Sequence, residues 1–155
     1  MDWDYLQGIP ILGRSSSQKV SPNLLRTKEL HVKIKAANTI LYCKRWDETV
    51  SFYRDGLKLL VISSNDWFVE FKLNERSRLS VADEARTSIK SGDGKGITIS
   101  LQVDDIEQTQ AELIEAGITP TPIKEVWGSK AIYIHDPEGN RLEFWAGRAK
   151  AERSG

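Results

Sequence analysis

One order of elements, strand, helix and then three strands, is written twice along this chain. In the first copy, residues 31–44 (HVKIKAANTILYCK) turn to a two-residue period in their second half, where Ile40 and Tyr42 alternate with Leu41 and Cys43, as in a strand. Asp47 is placed to cap a helix that runs to about Asp55, and Gly56 stands where a left-handed exit residue is wanted. Residues 59–63, 67–73 and 78–82 follow as strands, with the polar NERS of 74–77 as a hairpin turn. In the second copy, residues 96–103 (GITISLQV) alternate strictly, Thr98, Ser100 and Gln102 against Ile99, Leu101 and Val103. Asp104 or Asp105 caps the next helix, with Ile106, Ala111, Leu113 and Ile114 as its apolar stripe and Gly117 at its end. Residues 118–126, 130–135 and 141–145 supply the last strands, and the DPEGN turn of 136–140 joins the final two.

The copies superpose almost without gaps. Asn38 opens the working strand of the first and Thr98 that of the second, sixty residues on, while Gly56 and Gly117 are sixty-one apart. RLSVAD at 78–83 matches RLEFWA at 141–146 with an offset of sixty-three, which sets Ser80 against Glu143. One copy alone leaves a sheet face uncovered. Two packed about a pseudo-twofold axis curve their sheets into a half-open barrel whose inward faces line a cleft. The expected fold class is therefore α+β, two βαβββ modules over about 36–85 and 96–146 within one domain of residues 31–147. Residues 1–30 read as a partly irregular arm and 148–155 as a tail.

Composition narrows the partners. The 22 basic and 22 acidic side chains balance to zero, which argues against nucleic acid or an anionic membrane, both of which call for a basic face. No apolar run is long enough to span a bilayer, and a single cysteine, Cys43, rules out an internal disulfide framework and fits a reducing, cytoplasmic setting. Residues 1–35 hold six basic side chains against three acidic, and GRSSSQKVSPNLLRTK within them has neither acid nor period, the mark of an irregular segment. The start has no basic region of the kind a secretory signal carries, and Trp3, Tyr5, Ile9 and Ile11 are apolar enough to dock on the domain or on a second subunit.

Three stretches, FYRDGLKLLV at 52–61, QVDDIEQTQAELIEAGI at 102–118 and IHDPEGNRLEFW at 134–145, resemble the vicinal oxygen chelate superfamily, which includes glyoxalase I, bleomycin-resistance proteins and extradiol dioxygenases. The acidic DPEGN turn followed by Leu-Glu is the most specific of them, and the likeness runs from about Ala36 to Ala146. It implies the glyoxalase/bleomycin-resistance fold. In metal-dependent members it further implies a divalent ion (Ni, Zn, Mn or Fe) held by one side chain from the first and last strand of each copy. Carried onto this chain, those positions are Asn38, Ser80, Thr98 and Glu143. Only Glu143 is a strong ligand there, with Glu70 a replacement if the hairpin register is displaced. Neither His31 nor His135 falls at a matching place. A catalytic metal is therefore not expected.

The same positions suit a ligand better. Asn38, Thr98, Ser100 and Gln102 form a polar row opposite an apolar, helix-packing row, so they line a wet cleft or face solvent. Glu143 is a retained metal ligand, a polar anchor for a bound molecule, or a carboxylate paired with Arg78 or Arg141. Trp67, Phe68, Tyr42, Trp127 and Trp145 offer aromatic walls, with ordinary packing the alternative for each and the better one for Phe68. Cys43 points to the helix side as a buried, inert thiol. SGDGKG at 91–96 lacks the spacing of a phosphate loop and joins the two copies. His135, Asp136 and Ser129 cannot form a triad because strand neighbours face opposite ways. The expected ligand-lining set is thus Asn38, Tyr42, Ser80, Thr98, Ser100, Gln102, Trp127, Glu143 and Trp145, with Glu143 the catalytic residue if there is one. Three functions remain open: a metal-free binder of a small organic molecule, cytoplasmic and either monomeric or homodimeric; a lactoylglutathione-lyase-like or dioxygenase-like enzyme with unusual ligands; and an interaction module with a vestigial cleft.

Overall fold

Strand alternation and two short helices organise the chain as the repeat demands. The computed structural model describes residues 31–147, so the expected arm and tail lie outside the described residues. The first copy folds as β1 (Ala37–Cys43), α1 (Trp46–Ser51), β2 (Leu60–Ser64), β3 (Phe68–Lys72) and β4 (Ser77–Asp83). The second folds as β5 (Thr98–Gln102), α2 (Ile106–Glu115), β6 (Lys124–Val126), β7 (Ser129–His135) and β8 (Arg141–Gly147). Each copy makes a four-stranded mixed sheet, in the orders β1-β4-β3-β2 and β5-β8-β7-β6, and neither sheet closes on itself. This is the half-open βαβββ pair expected.

The register confirms the repeat residue by residue. Asn38 lies beside Arg78 and Ile40 beside Ser80 in the parallel β1–β4 pair. Thr98 lies beside Arg141 and Ser100 beside Glu143 in β5–β8, so the offsets of sixty and sixty-three hold together. On the helix-packing faces, Leu41, Cys43, Val69, Phe71, Leu79 and Val81 join Ile99, Ile132, Ile134, Leu142 and Phe144 in one buried core. Burial of such faces, at about 25 cal/mol per Å² of apolar area, is the main source of stability.

Several local expectations are corrected. Asp47 does not cap α1: the N-cap is Arg45, whose side chain makes no cap bond. After Ser51 the backbone widens into a π-turn over Phe52–Gly56, and the left-handed residue comes two positions late, at Lys58 with φ 57° rather than at Gly56. The wider turn consumes the extra residues before the chain reverses. In α2, Asp105 accepts from the Gln108 amide at 2.9 Å and Gly117 takes φ 79°, as capping chemistry requires. Its packed stripe is narrower than expected. Ile106 and Leu113 are buried, but Ala111 is exposed and Ile114, one position round from Leu113, is 60% exposed. Strand β6 is confined to Lys124–Val126, since residues 118–123 run without ladder pairing.

The DPEGN turn binds the two copies together. Glu138 is 8% exposed, and its carboxylate accepts from the Lys44 and Arg45 amides, both at 2.9 Å, at the start of α1. Ser91 Oγ donates to the same carboxylate at 2.6 Å. Buried Tyr53 donates its hydroxyl to Asp136 Oδ2 at 2.8 Å, and Asp136 also accepts from the Glu138 and Asn140 amides. The connector between copies closes over this turn. A methyl group on Gly94, at φ 73°, would sit 2.0 Å from the Gly139 carbonyl oxygen, so only glycine fits.

Candidate functional site

The alternation that packs Ile99, Leu142 and Phe144 into the core turns Thr98, Ser100, Gln102, Arg141, Glu143 and Trp145 to the open face of the second sheet. Strand β7 adds Tyr133 opposite Glu143 and His135 opposite Arg141. These side chains bond to one another. Arg141 Nε donates to Thr98 Oγ1 at 2.9 Å, and the guanidinium lies 5.1 Å from the centre of the Tyr133 ring. Ser100 Oγ donates to Glu143 Oε1 at 2.6 Å. Burial first, and then the neighbouring Glu143 carboxylate, push the Tyr133 hydroxyl above its ordinary pKa, so it stays a protonated donor. Of the alternatives for Glu143, pairing with Arg78 or Arg141 is not seen among the described residues; hydroxyl groups attend it instead.

The first sheet's open face is built differently. Ser80 is fully buried there and donates to Asn38 Oδ1 at 2.9 Å, so its hydroxyl is committed to a protein partner. Glu70 stands directly opposite Ser80 and pairs with Arg78 at 3.6 Å. Ile40, 40% exposed, and Leu60, 65% exposed, leave apolar area on the same side, with half-buried Tyr42 beside them. The four positions to which the resemblance in sequence assigns a metal, Asn38, Ser80, Thr98 and Glu143, therefore carry an amide, two hydroxyls and one carboxylate. No cluster of three or more His, Cys, Asp or Glu side chains able to hold a metal occurs among the described residues. Neutral oxygens of this kind are poor ligands for Ni²⁺, Zn²⁺ or Fe²⁺, so the donor set does not fit such an ion.

Trp145 shares its face with Glu143, whereas Trp127 stands apart at the β6–β7 turn, 81% exposed with φ 51°. Tyr133 and Arg141 were not among the residues expected to line the cleft; the alternation of SKAIYIH against RLEFWAG was the signal that carried them. Cys43 is fully buried, and burial with the nearby Glu138 and Asp136 carboxylates pushes its thiol up to about 12. A hollow of about 420 Å³ lies elsewhere, between the start of α2 and the β6–β7 turn. It is bordered by Asp104, Asp105, Glu107 and Glu125, and Lys130 closes on Glu107. The hydrogen bonds of Arg141 to Thr98 and of Ser100 to Glu143 converge on the open sheet face, and this hollow lies apart from them. No helix among the described residues is long and apolar enough to cross a membrane.

Comparison with known proteins gives a consistent result. The model of the Glyoxalase/Bleomycin resistance protein/Dioxygenase superfamily matches residues 31–144. No curated protein matches significantly. Among solved structures, a lactoylglutathione lyase from Agrobacterium tumefaciens is 24% identical, with a TM-score of 0.59 over 71% of this chain and 91% of that one. A bleomycin-binding protein from Streptomyces verticillus, complexed with copper(II)-bleomycin, is 22% identical, with a TM-score of 0.60 over 76% of this chain and 100% of that one. A glyoxalase/bleomycin resistance protein/dioxygenase from Nocardioides is 18% identical, with a TM-score of 0.64 over 81% and 89%. At these identities the likeness concerns the fold.

Proposed function

The chain belongs to the Glyoxalase/Bleomycin resistance protein/Dioxygenase superfamily, and from that premise we propose that it is a cytoplasmic protein that binds a small organic molecule on its open sheet faces without a catalytic metal. One observation carries the reading. Where a ligand-binding carboxylate would meet an ion, Glu143 is instead held by Ser100, with Tyr133 opposite it and Trp145 on the same face. Such a row is hydrogen-bonded enough to be ordered and exposed enough to be reached. It suits a molecule with several polar atoms and an apolar ring or chain. The copper(II)-bleomycin complex of the Streptomyces verticillus protein supports a binding role, because a protein of this fold holds an organic ligand there. The exposed Ile40 and Leu60 further support a homodimer in which a second copy covers part of these faces.

A thermal-shift panel tests the reading. It begins with metal-free bleomycin and aromatic antibiotics, each run with and without Ni²⁺, Zn²⁺, Mn²⁺ and Fe²⁺. A ligand at 100 times its Kd adds about 2.7 kcal/mol, a rise of about 5–10 °C for a chain of this size. A saturable, metal-independent rise that is lost in Glu143→Ala supports the proposal. Stoichiometric micromolar metal binding lost in the same variant overturns it in favour of a lyase or dioxygenase with unusual ligands. Light scattering across a concentration series reports the dimer.

A further inference from the structure

The two copies share an arginine and use it in opposite ways. Arg78 and Arg141 are equivalent, sixty-three residues apart, and lie beside the equivalent residues Asn38 and Thr98 of their copies' first strands. In the first copy the neighbouring strand β3 supplies Glu70, opposite Ser80, and Arg78 is neutralised by it at 3.6 Å while also donating to the Asn74 carbonyl oxygen at 2.7 Å. In the second copy the position of Glu70 is taken by Tyr133, opposite Glu143. Arg141 consequently lies over a neutral ring, and its one hydrogen bond to another described residue is from Nε to Thr98. Neither Nη group makes a hydrogen bond or ion pair to another described residue, while the ring at 5.1 Å and the Thr98 hydroxyl at 2.9 Å hold the guanidinium in place.

We propose that Arg141 is the anion seat of the cleft and that the ligand is a carboxylate-bearing aromatic or cyclic molecule that also carries an N–H or O–H donor for Glu143. This rests on the small-molecule reading above and deepens it. With Nε engaged, the Nη edge remains for an end-on, two-point contact with a carboxylate, a geometry for which arginine is suited and lysine is not. Arg141 and Glu143 are two residues apart on one strand, so their seats stand about 6.5–7 Å apart. The anion and the donor of the ligand must span that distance. His135, opposite Arg141, adds a further polar neighbour to the anion end, and Trp145 flanks the donor end. A neutral molecule of the same shape would leave the Arg141 edge to water.

The test titrates 2-naphthoate and its neutral isostere 2-naphthamide into the full-length protein at low salt, with affinities read by isothermal titration calorimetry and, in proteins that keep Arg141, by the Arg141 Nε–H signal in NMR. The carboxylate is expected to bind at least about tenfold more tightly than the amide, the ratio that corresponds to about 1.4 kcal/mol. In Arg141→Gln the two affinities converge while that of the amide stays where it was. Tyr133→Glu, which copies the first module's Arg78–Glu70 pair into the second, should abolish the preference as well. Equal binding of the two probes to the wild type, or a preference that survives Arg141→Gln, overturns the assignment. If the probes bind equally and both weaken in Trp145→Ala, the cleft reading stands and only the anion seat falls. If neither probe moves the Arg141 signal at millimolar concentration, both fall.

Discussion

Glu138 offers the sharpest test of how the two copies are joined. Replacing it with alanine removes the acceptor of three hydrogen bonds, from the Lys44 and Arg45 amides and from Ser91 Oγ. The two amides open α1, and no side chain of the helix's own sequence takes over as a cap. Each buried donor left without a partner costs about 1–3 kcal/mol. Lys44 and Arg45 border solvent, so water reaches part of the gap and the sum falls to about 2–4 kcal/mol. For a chain of this length that is a loss of about 5–15 °C in Tm. Glu138→Gln keeps one acceptor oxygen and should lose about half as much. Acid gives an independent readout. Burial works to raise the Glu138 pKa, but the bonds from Ser91, Lys44 and Arg45 outweigh it and hold the value below the ordinary glutamate range. A depressed carboxyl stabilises the fold fully above its unfolded pKa of about 4.3 and loses that contribution as pH falls through the lower folded value. Urea unfolding from pH 7 down to pH 3 should therefore show an acid limb that is shallower in Glu138→Gln than in the wild type. A Glu138→Ala protein within about 2 °C of wild type, less than the shift that 1 kcal/mol produces, or an unchanged acid limb in the glutamine variant would refute this account of the clasp.

Three further outcomes follow from the same geometry. Gly94→Ala meets the Gly139 carbonyl oxygen at 2.0 Å and should cost about 2–4 kcal/mol, whereas Gly96→Ala, with φ 74° and open space around it, should cost only about 1 kcal/mol; equilibrium unfolding of the pair separates close contact from backbone strain. Cys43, fully buried with its thiol pushed up to about 12, should react with a thiol reagent at pH 8 only at the rate of opening, so labelling should accelerate with urea. Trp127 carries a bulky side chain at φ 51°, so Trp127→Asn should stabilise the protein by about 0.5–1 kcal/mol in thermal denaturation; if the same variant weakens ligand binding, the strain is kept for contact with the ligand.

Legibility in the sequence followed the physics of each element. Strict alternation in TISLQ and RLEFWA named both the strands and their buried faces, because a strand's period is short enough to be read in five residues. The repeat offsets survived into the real register because packing cannot tolerate a one-residue slip, which would turn every core side chain outward. The helix after β1 was harder. Its glycine pointed to an ordinary exit, and nothing in FYRDG signals that the turn widens and passes the left-handed conformation on to Lys58. The open face was legible in part. Its polar row could be listed, but that Ser80 is spent on Asn38, and that Tyr133 supports both Arg141 and Glu143, depends on neighbours across strands distant in sequence. The DPEGN motif was legible as a family mark and silent about its role as a clasp, since Lys44, Arg45, Tyr53 and Ser91 are contributed from elsewhere in the chain.

The duplication also separates what folding requires from what it leaves free. At equivalent positions on the packed faces the copies differ only within the apolar set: Leu79 and Leu142, Val81 and Phe144, Val69 and Ile132, Phe71 and Ile134, all buried. On the open faces the same offsets relate Asn38 to Thr98, Glu70 to Tyr133 and Ser80 to Glu143, with changes of charge and donor type at two of the three. Core packing demands volume and apolarity but sets no such chemistry on an exposed face. The first copy also demonstrates that an arginine here can be satisfied internally, by Glu70 at 3.6 Å. The second copy gives up that partner, keeps the arginine, and places a carboxylate two residues along the same strand. A face needed only for stability has no reason to hold a cation and an anion apart when its own sister module shows them paired. The separation is what a bound molecule carrying both kinds of group would complete.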